Sequence, residues 1–252
     1  YMSFTNNHQN LMHAKERFEN DHSLLKKISM TMNFLGSSSF SSSPIINIDQ
    51  RAIVFDLSKG ANIHNVPIKG LKIDEFSRLV EDAMYSENTG YGFGRWAEVR
   101  EIYANEFFNS TFEGSNEKRD VHLGVDVFCQ SGEDIFTPLD GRIHIKSNNK
   151  NELDYGPMLI LEHSNDNDEL FYTLYGHLSL ASIANIEEGQ SVVAGQKIAE
   201  VGAPPENGNW PPHLHFQLIL ELFSLGSDFP GVALSSEQEM WLALSPCPIM
   251  FF

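Results

Sequence analysis

Two spaced pairs of polar side chains constrain this chain more than any other feature. His122 and Asp126 lie in the run VHLGVD, and His213 and His215 lie some ninety residues later in PPHLHF. Imidazole nitrogen and carboxylate oxygen are both ligands that Zn²⁺ takes in proteins. Three protein ligands with an open fourth position are typical of a catalytic rather than a structural zinc. A fold that serves such a site must bring the two pairs together.

The spacing within each pair predicts its local structure. PHLHFQLIL has a strand pattern, so His213 and His215 project from one face, about 6.6 Å apart along the strand. That separation suits one ligand and one neighbouring catalytic group better than two ligands of one ion. On a straight strand His122 and Asp126 would lie about 13 Å apart, too far to share a metal. We therefore expect His122 on a loop, a bend at Gly124 and a strand beginning at VDVF.

Among the remaining histidines, one is a candidate for the site and the others are not. His177, in YGHLS, is the fifth member of the predicted site, because strand and turn signals flank it as they flank the two pairs. His163, at the end of the strand pattern LILEHSND, is expected to be a hydrogen-bonding residue rather than a ligand. The histidines without a partner pattern are predicted to be structural or solvent-facing: His8, His13, His22, His64 and His144.

The runs HLGVD, TLYGHLS and HLHF resemble the lysostaphin/LytM-type zinc metallopeptidases, which cut peptide bonds in bacterial cell-wall peptidoglycan. GEDIFTPLDGRI and EEGQSVVAGQKIAEVG are similar to the glycine-punctuated hairpins of that family, so the likeness covers roughly residues 118–222. The resemblance implies a zinc endopeptidase acting on peptidoglycan cross-bridges or stem peptides. It also implies that His122, Asp126 and His215 bind Zn²⁺, while the catalytic residues His177 and His213 flank the attacking water.

This site has a simple expected chemistry. Zinc lowers the pKa of its bound water towards neutrality and polarises the scissile carbonyl, and a nearby imidazole exchanges the proton. His177 is the better candidate for the base, with His213 as its partner or as the stabiliser of the oxyanion, and the order of the two roles stays open. Tyr175, two residues before His177, is a further candidate for supporting the site. One departure from the family is NGNWPP before the last two histidines, where Trp210 is expected to reshape the substrate groove.

Charge and hydropathy exclude several classes of partner. The chain of 252 residues has a formal net charge of −17. After residue 150 Lys197 is the one cation against fourteen acidic residues, which argues against nucleic acid and anionic membranes as partners. No apolar run approaches the ~20 residues of a transmembrane helix, and no signal peptide opens the sequence. Cys129 and Cys247 do not make a disulfide framework, and Cys129 is expected to be a buried small hydrophobe.

The periodicity changes along the chain. Helical patterns are confined to the amino-terminal part, including one over IDEFSRLVEDAM with Asp74 as its cap and one over WAEVREIYANEFF. Beyond residue 118 short strands alternate with turn residues. These patterns predict a mainly β catalytic domain, an antiparallel sheet or half-barrel of the lysostaphin-like type, with a small α+β amino-terminal region. The predicted divisions are a helical segment 1–35, a flexible serine-rich linker 36–44, an α+β accessory region 45–117, the β domain 118–222 and a carboxy-terminal connector 223–252.

A second resemblance leaves an alternative function open. IVFDLSKG, GFGRWAEVREIY and SDFPGVALSSEQEMWLALSP are similar to segments that flank the peptidase-like module in fusions of a phosphotransferase-like domain with a class III aminotransferase. That likeness favours a non-proteolytic metal-binding scaffold or regulatory module of a larger enzyme. A wall hydrolase would act in the cell envelope, whereas a fusion-protein module would act in the cytoplasm. The amino-terminal region is also a candidate plug of the site, with His64 as a donor to the metal.

Overall fold

A large β-sheet organises the molecule. The computed structural model describes residues 2–48, 51–103, 108–109 and 116–252, with side chains described from residue 9 onward. The helices are α1 (Met2–Asn20), α2 (His22–Leu35), α3 (Ile73–Ser86) and α4 (Gln238–Leu244). The strands are β1 (Ala52–Val54), β2 (Asn62–Ile63), β3 (Val66–Pro67), β4 (Tyr91–Gly94), β5 (Arg119–His122), β6 (Val125–Phe128), β7 (Asp134–Phe136), β8 (Gly141–Asn149), β9 (Gly156–Ser164), β10 (Leu170–Gly176), β11 (Ser191–Val192), β12 (Lys197–Glu200), β13 (His213–Ile219) and β14 (Val232–Leu234).

Eight of these strands form one sheet in the order β1-β4-β6-β13-β10-β9-β8-β11. Every neighbouring pair in it is antiparallel except β1 and β4, which are parallel. Three two-stranded sheets, β12-β7, β14-β5 and β2-β3, accompany it. The predicted fold class, a mainly antiparallel β domain with a small α+β amino-terminal region, is confirmed.

The central strands are covered on both faces. In β9 the side chains of Leu159 and Leu161 enter one apolar cluster, while Met158 and Ile160 enter another on the opposite face. Successive strand residues point to opposite faces, so a continuous apolar run is what a doubly covered strand requires. Helix α2 packs on the first face and α4 on the second.

The amino-terminal helical prediction is confirmed as two helices. Asp21 separates them and caps α2, because its carboxylate accepts hydrogen bonds from the backbone N–H groups of Ser23 and Leu24 at 3.0 and 3.2 Å. The segment 36–44, predicted to be a flexible linker, lies against the carboxy-terminal connector and the β domain. Its Phe40 ring packs 5.7 Å from that of Phe251, and the backbone N–H of residue 43 donates to the carbonyl of residue 138 at 2.9 Å.

Two helix predictions need correction. In α3 the carboxylate of Glu75, and not Asp74, accepts the N-terminal hydrogen bond, from the backbone N–H of Lys72 at 2.9 Å. Asp74 instead pairs with Arg78 one turn later. The helix predicted over 96–108 is wrong for residues 96–103, which form turns and isolated bridges beside β5, and residues 104–107 lie outside the described part. Long-range pairing with β5 satisfies this backbone and overrides the local helical spacing.

The predicted domain boundaries stay a prediction, but both flanking regions join the β domain. Strands β1 and β4 belong to the main sheet, and β14 pairs with β5. Cys129 is buried and both cysteines are free, as expected. Among the described helices none combines the length and the apolar character needed to cross a bilayer.

Candidate metal centre

Strand pairing brings the two predicted pairs together. In the antiparallel pair of β6 and β13, Asp126 lies directly opposite His215. His122 is the last residue of β5, so the expectation that it sits on a loop is wrong, whereas the strand at VDVF is confirmed. Residues 123 and 124 separate the two strands, with a bend at residue 124. A Cβ on Gly124 would lie 2.7 Å from His215 Cε1, so this glycine leaves room for the imidazole.

Three side-chain atoms form a nearly equilateral triangle at this point. His122 Nε2 lies 3.0 Å from His215 Nδ1, and Asp126 Oδ1 lies 3.1 Å from each of these nitrogens. All three side chains are buried. In the described part of the chain this is the one group of three or more histidine, cysteine or acidic side chains that could hold a metal ion.

The outer atoms of the two imidazoles are engaged elsewhere, which fixes their protonation. His122 Nδ1 lies 2.9 Å from the carbonyl oxygen of Arg95, and His215 Nε2 lies 3.0 Å from Gln217 Oε1. The Gln217 amide donates to the Pro230 carbonyl at 3.1 Å, so its oxygen must face His215. Both acceptors require an N–H, and the proton of each neutral imidazole is therefore on its outer nitrogen.

With both imidazoles neutral, the triangle consists of lone pairs without a proton between them. Three acceptors at such short separations repel one another, and a cation between them would remove that repulsion. Two ligands bonded at 2.0–2.1 Å in a tetrahedral site are about 3.3 Å apart, which the observed separations of 3.0 to 3.1 Å approach. Two imidazoles and one carboxylate are a donor set that Zn²⁺ takes in catalytic sites. The residues present fit a zinc ion.

Electrostatics favour the metal-binding protonation states. Burial, and then the charge of Arg100, lower the pKa of His122 to about 4, so its imidazole is neutral near pH 7. Burial alone would raise the pKa of Asp126, but the facing histidines and Arg100 outweigh it and hold that pKa well below its ordinary value. Asp126 Oδ2 accepts a hydrogen bond from Arg100 Nη1 at 2.6 Å, which leaves Oδ1 for the triangle.

His177 and His213 lie beside the triangle as a second pair. Their ring centroids are 4.3 Å apart, and His213 Nε2 lies 3.7 Å from Asp126 Oδ1. His177 Nδ1 donates to the carbonyl of Asn207 at 2.8 Å, and His213 Nδ1 donates to that of Pro211 at 2.7 Å. Burial lowers the pKa of both imidazoles. The charge of the neighbouring His213 lowers the pKa of His177 further. Both are therefore neutral and carry a free lone pair on Nε2.

All five predicted site residues line one cavity of about 570 Å³. Trp210 also lines it, as expected from its unusual position in the sequence, and its ring lies 6.3 Å from that of His177. The wall contains side chains from outside the predicted β domain, among them Arg100, Tyr103 and Phe108. Trp210 packs with these two aromatic residues, Tyr103 at 6.0 Å and Phe108 at 6.5 Å between ring centroids.

Two predicted supporting residues do not reach the cavity. Tyr175 faces Phe216 across the sheet in the opposite apolar cluster, because the strand ends at Gly176 and His177 turns away with a φ of +62°. The tyrosine that lines the site is Tyr155, whose ring centroid lies 5.5 Å from that of His215. His64 is exposed and contacts Ser86, so the suggestion that it donates to the metal is wrong.

Several supporting residues were missed by the sequence analysis. Gln217 had a usable signal, since it follows His215 by two in a predicted strand and must share its face. Arg95 and Arg100 had none, because backbone pairing of residues 97–100 with β5 brings them to the site, and Arg100 belongs to a segment predicted to be helical.

Residues 120–222 match the family model described as peptidase family M23. A search of curated proteins finds no match. Among solved structures, the chain is similar to a zinc-containing peptidase from Vibrio cholerae, with 29% identity and a TM-score of 0.33 over 42% of this chain and 29% of that one. It is similar to lysostaphin, with 26% identity and a TM-score of 0.33 over 49% of this chain and 44% of that one.

It is also similar to the catalytic domain of lysostaphin from Staphylococcus simulans, with 19% identity and a TM-score of 0.35 over 63% of this chain and 96% of that one. The chain thus spans less than half the length of the first two of these structures. The family match covers the segment in which all five predicted site residues lie. Residues 120–222 are therefore similar to peptidase family M23.

Proposed function

We propose that this protein is a zinc-dependent metalloendopeptidase. The observation that carries the proposal is the triangle of His122 Nε2, Asp126 Oδ1 and His215 Nδ1, three potential ligand atoms that face one another at 3.0 to 3.1 Å. These three residues would hold the ion. Zinc bound there would act as a Lewis acid on the scissile carbonyl and lower the pKa of water. The family match over residues 120–222 supports peptide bonds as the target.

His177 and His213 would move the protons of the reaction. Each donates its Nδ1–H to a backbone carbonyl, so each presents Nε2 as a base. A neutral imidazole beside the metal can accept a proton from the nucleophile and return it to the leaving amine. Both residues are candidates for either step, and His213 Nε2 is the one placed 3.7 Å from a proposed ligand atom.

The proposed substrate is a peptide of the bacterial cell wall, in a cross-bridge or a stem. The cavity that contains the five residues is about 570 Å³, a volume that suits a short stretch of peptide. Its wall combines the aromatic side chains Tyr103, Phe108 and Trp210 with polar side chains. The resemblance of the sequence motifs to peptidoglycan endopeptidases names the substrate class.

A second candidate function is a non-proteolytic metal-binding scaffold or regulatory module of a larger enzyme. One observation favours it: His122, Asp126, His177, His213 and His215 are each 6% exposed or less. A polymeric substrate needs a groove that admits it, whereas a structural metal does not. In this alternative the cation would stabilise the packing of β5, β6 and β13.

Elemental analysis of the purified chain, together with release of peptides from peptidoglycan and a His177→Ala variant, tests the proposal. We expect about one equivalent of zinc, measurable release and loss of release in the variant with zinc retained. One equivalent of zinc without release from any wall preparation would favour the scaffold. A different metal, such as iron in a two-histidine, one-carboxylate site, or no metal would refute the zinc assignment.

A further inference from the structure

The segment 95–100 precedes the region that matches the family and runs alongside β5. The backbone N–H of Ala97 donates to the carbonyl of His122 at 2.9 Å, and that of His122 donates to Glu98 at 3.0 Å. Arg100 continues the ladder by donating to the carbonyl of Asp120 at 2.8 Å. These bonds place the segment beside the candidate metal centre as an added edge of β5.

Two groups of this segment contact two of the three proposed ligands. The Arg95 carbonyl accepts the Nδ1–H of His122 at 2.9 Å, and Arg100 Nη1 donates to Asp126 Oδ2 at 2.6 Å. The first contact turns His122 Nε2 towards the triangle. The second occupies one carboxylate oxygen of Asp126, so that only the other oxygen faces the two imidazoles. The Arg95 carbonyl also accepts a hydrogen bond from Arg100 Nη2 at 3.3 Å, so the two contacts belong to one network.

Arg100 itself is held rigidly. Its Nε donates to Glu98 Oε2 at 2.9 Å, and both side chains are 3% exposed. Its Nη1 also donates to the Tyr103 hydroxyl at 3.0 Å. The other oxygen of Glu98 accepts from the backbone N–H of Leu57 at 3.0 Å and from Arg95 Nε at 3.1 Å. Glu98 therefore both aims the guanidinium and balances its charge, which would otherwise repel a metal cation.

We propose that residues 95–100 are part of the metal centre and that Arg100 is a positioning residue that orients Asp126 to bind through one oxygen. The inference rests on the proposed zinc site, and it adds a contribution from outside the family-matching segment. The competing explanation is that Arg100 only ties the accessory region to the sheet. The two explanations differ in what happens to the metal when the protein stays folded, because partners that orient metal ligands typically contribute ~10–100-fold to affinity.

The test is the zinc dissociation constant of Arg100→Met, measured by competition with a chromophoric chelator. We expect affinity to fall by ~10–100-fold relative to the unsubstituted protein, with folding checked by circular dichroism and thermal unfolding of the metal-free protein. The control is Arg142→Met, because Arg142, whose side chain is 57% exposed, also pairs with a largely buried carboxylate, Glu162, at 2.8 Å, but lies outside the cavity. This control should bind zinc as the unsubstituted protein does.

Two milder variants keep the inference testable if Arg100→Met does not fold. Arg100→Lys keeps the positive charge but cannot bridge two carboxylates as the guanidinium does, and Glu98→Gln weakens the group that aims Arg100. Both should lower zinc affinity and alter the visible absorption of the Co²⁺-substituted protein, which reports ligand geometry.

The outcomes separate the inference from the function on which it rests. If the unsubstituted protein binds no zinc, the proposed function fails. If it binds zinc while folded Arg100 variants match it in affinity and in Co²⁺ spectrum, the positioning role alone is refuted. Loss of affinity in Arg142→Met of the same size would also refute it, because the effect would then be a general response to removing an ion pair.

Discussion

Two buried histidines, His122 and His163, show what separates a proposed metal ligand from a core histidine. They are 0% and 2% exposed, and each directs Nδ1 at a backbone carbonyl, that of Arg95 at 2.9 Å and that of Asp140 at 2.8 Å. Burial is the largest cause of a pKa lowered to about 4 in both cases. By burial, tautomer and protonation the two residues are alike.

They differ at the second nitrogen. His163 Nε2 lies 2.8 Å from the hydroxyl of Thr173, a group that can both donate and accept a hydrogen bond. His122 Nε2 faces Asp126 Oδ1 and His215 Nδ1, which are both acceptors in the protonation states fixed by their other partners. The first histidine is satisfied by the protein, whereas the second faces two further acceptor atoms. Between these two residues, the partners of the second nitrogen, and not burial or a perturbed pKa, distinguish the proposed ligand from the core histidine.

The largest expected effect is on metal content. His215→Ala removes one corner of the triangle, so zinc measured by elemental analysis should fall from about one equivalent to near zero. His163→Ala, the matched substitution of a satisfied histidine, should leave it at about one. Equal zinc content in the two variants would contradict the distinction between the proposed ligands and the core histidine.

Catalysis should depend on a histidine that does not hold the metal. His177→Ala should lower kcat for peptide hydrolysis by ~10²–10⁴-fold, the usual contribution of a general acid or base, while zinc stays bound. His144→Ala is the control, since His144 contacts Glu162 away from the cavity. A His177→Ala variant with unchanged kcat would exclude it from proton transfer.

The satisfied histidine should matter for stability instead. His163→Ala removes hydrogen bonds to the Asp140 carbonyl and the Thr173 hydroxyl in the core, so the free energy of unfolding should fall by about 2 kcal/mol. Urea denaturation of metal-free protein measures this change. An unchanged midpoint would show that water replaces the imidazole without cost.

The remaining expected effect is a pH dependence. The pKa of His163 is about 4 in the folded protein against an ordinary 6.5, so the unfolded chain takes up the proton first as the pH falls. Stability is therefore lost between about pH 6.5 and about pH 4, by at most about 1.4 kcal/mol per pH unit from this residue. His163→Gln should flatten the slope of unfolding free energy against pH over that window, and an unaltered slope would assign it to other groups.

Much of the site was predictable because its signals are local. Residue type and spacing singled out the five side chains, and the period of two in β13 correctly placed His213 and His215 on one face. The strand carrying Asp126 was likewise predictable from its run of β-forming residues.

Two of the errors have a common cause in long-range pairing. His122 was expected on a loop, but β14 pairs with it and makes it the end of a strand. The helical spacing over residues 96–103 was overridden by hydrogen bonds to β5. Both pairings join distant residues, which no local pattern encodes. The error over Tyr175 is different, because the strand ends at Gly176, between Tyr175 and His177, and alternation no longer applies.

The sequence by itself determined the fold class and singled out five residues that the structure brings to one cavity, because side-chain chemistry and strand periodicity are local properties. The tertiary structure decided which atoms face one another. It placed the Arg95 carbonyl, Arg100 and Gln217 beside the outer atoms of His122, Asp126 and His215. These partners decide which nitrogen or oxygen of each side chain faces the other two. The hydrogen bonds of a buried side chain depend on all of its neighbours, and these neighbours come together only in the folded protein.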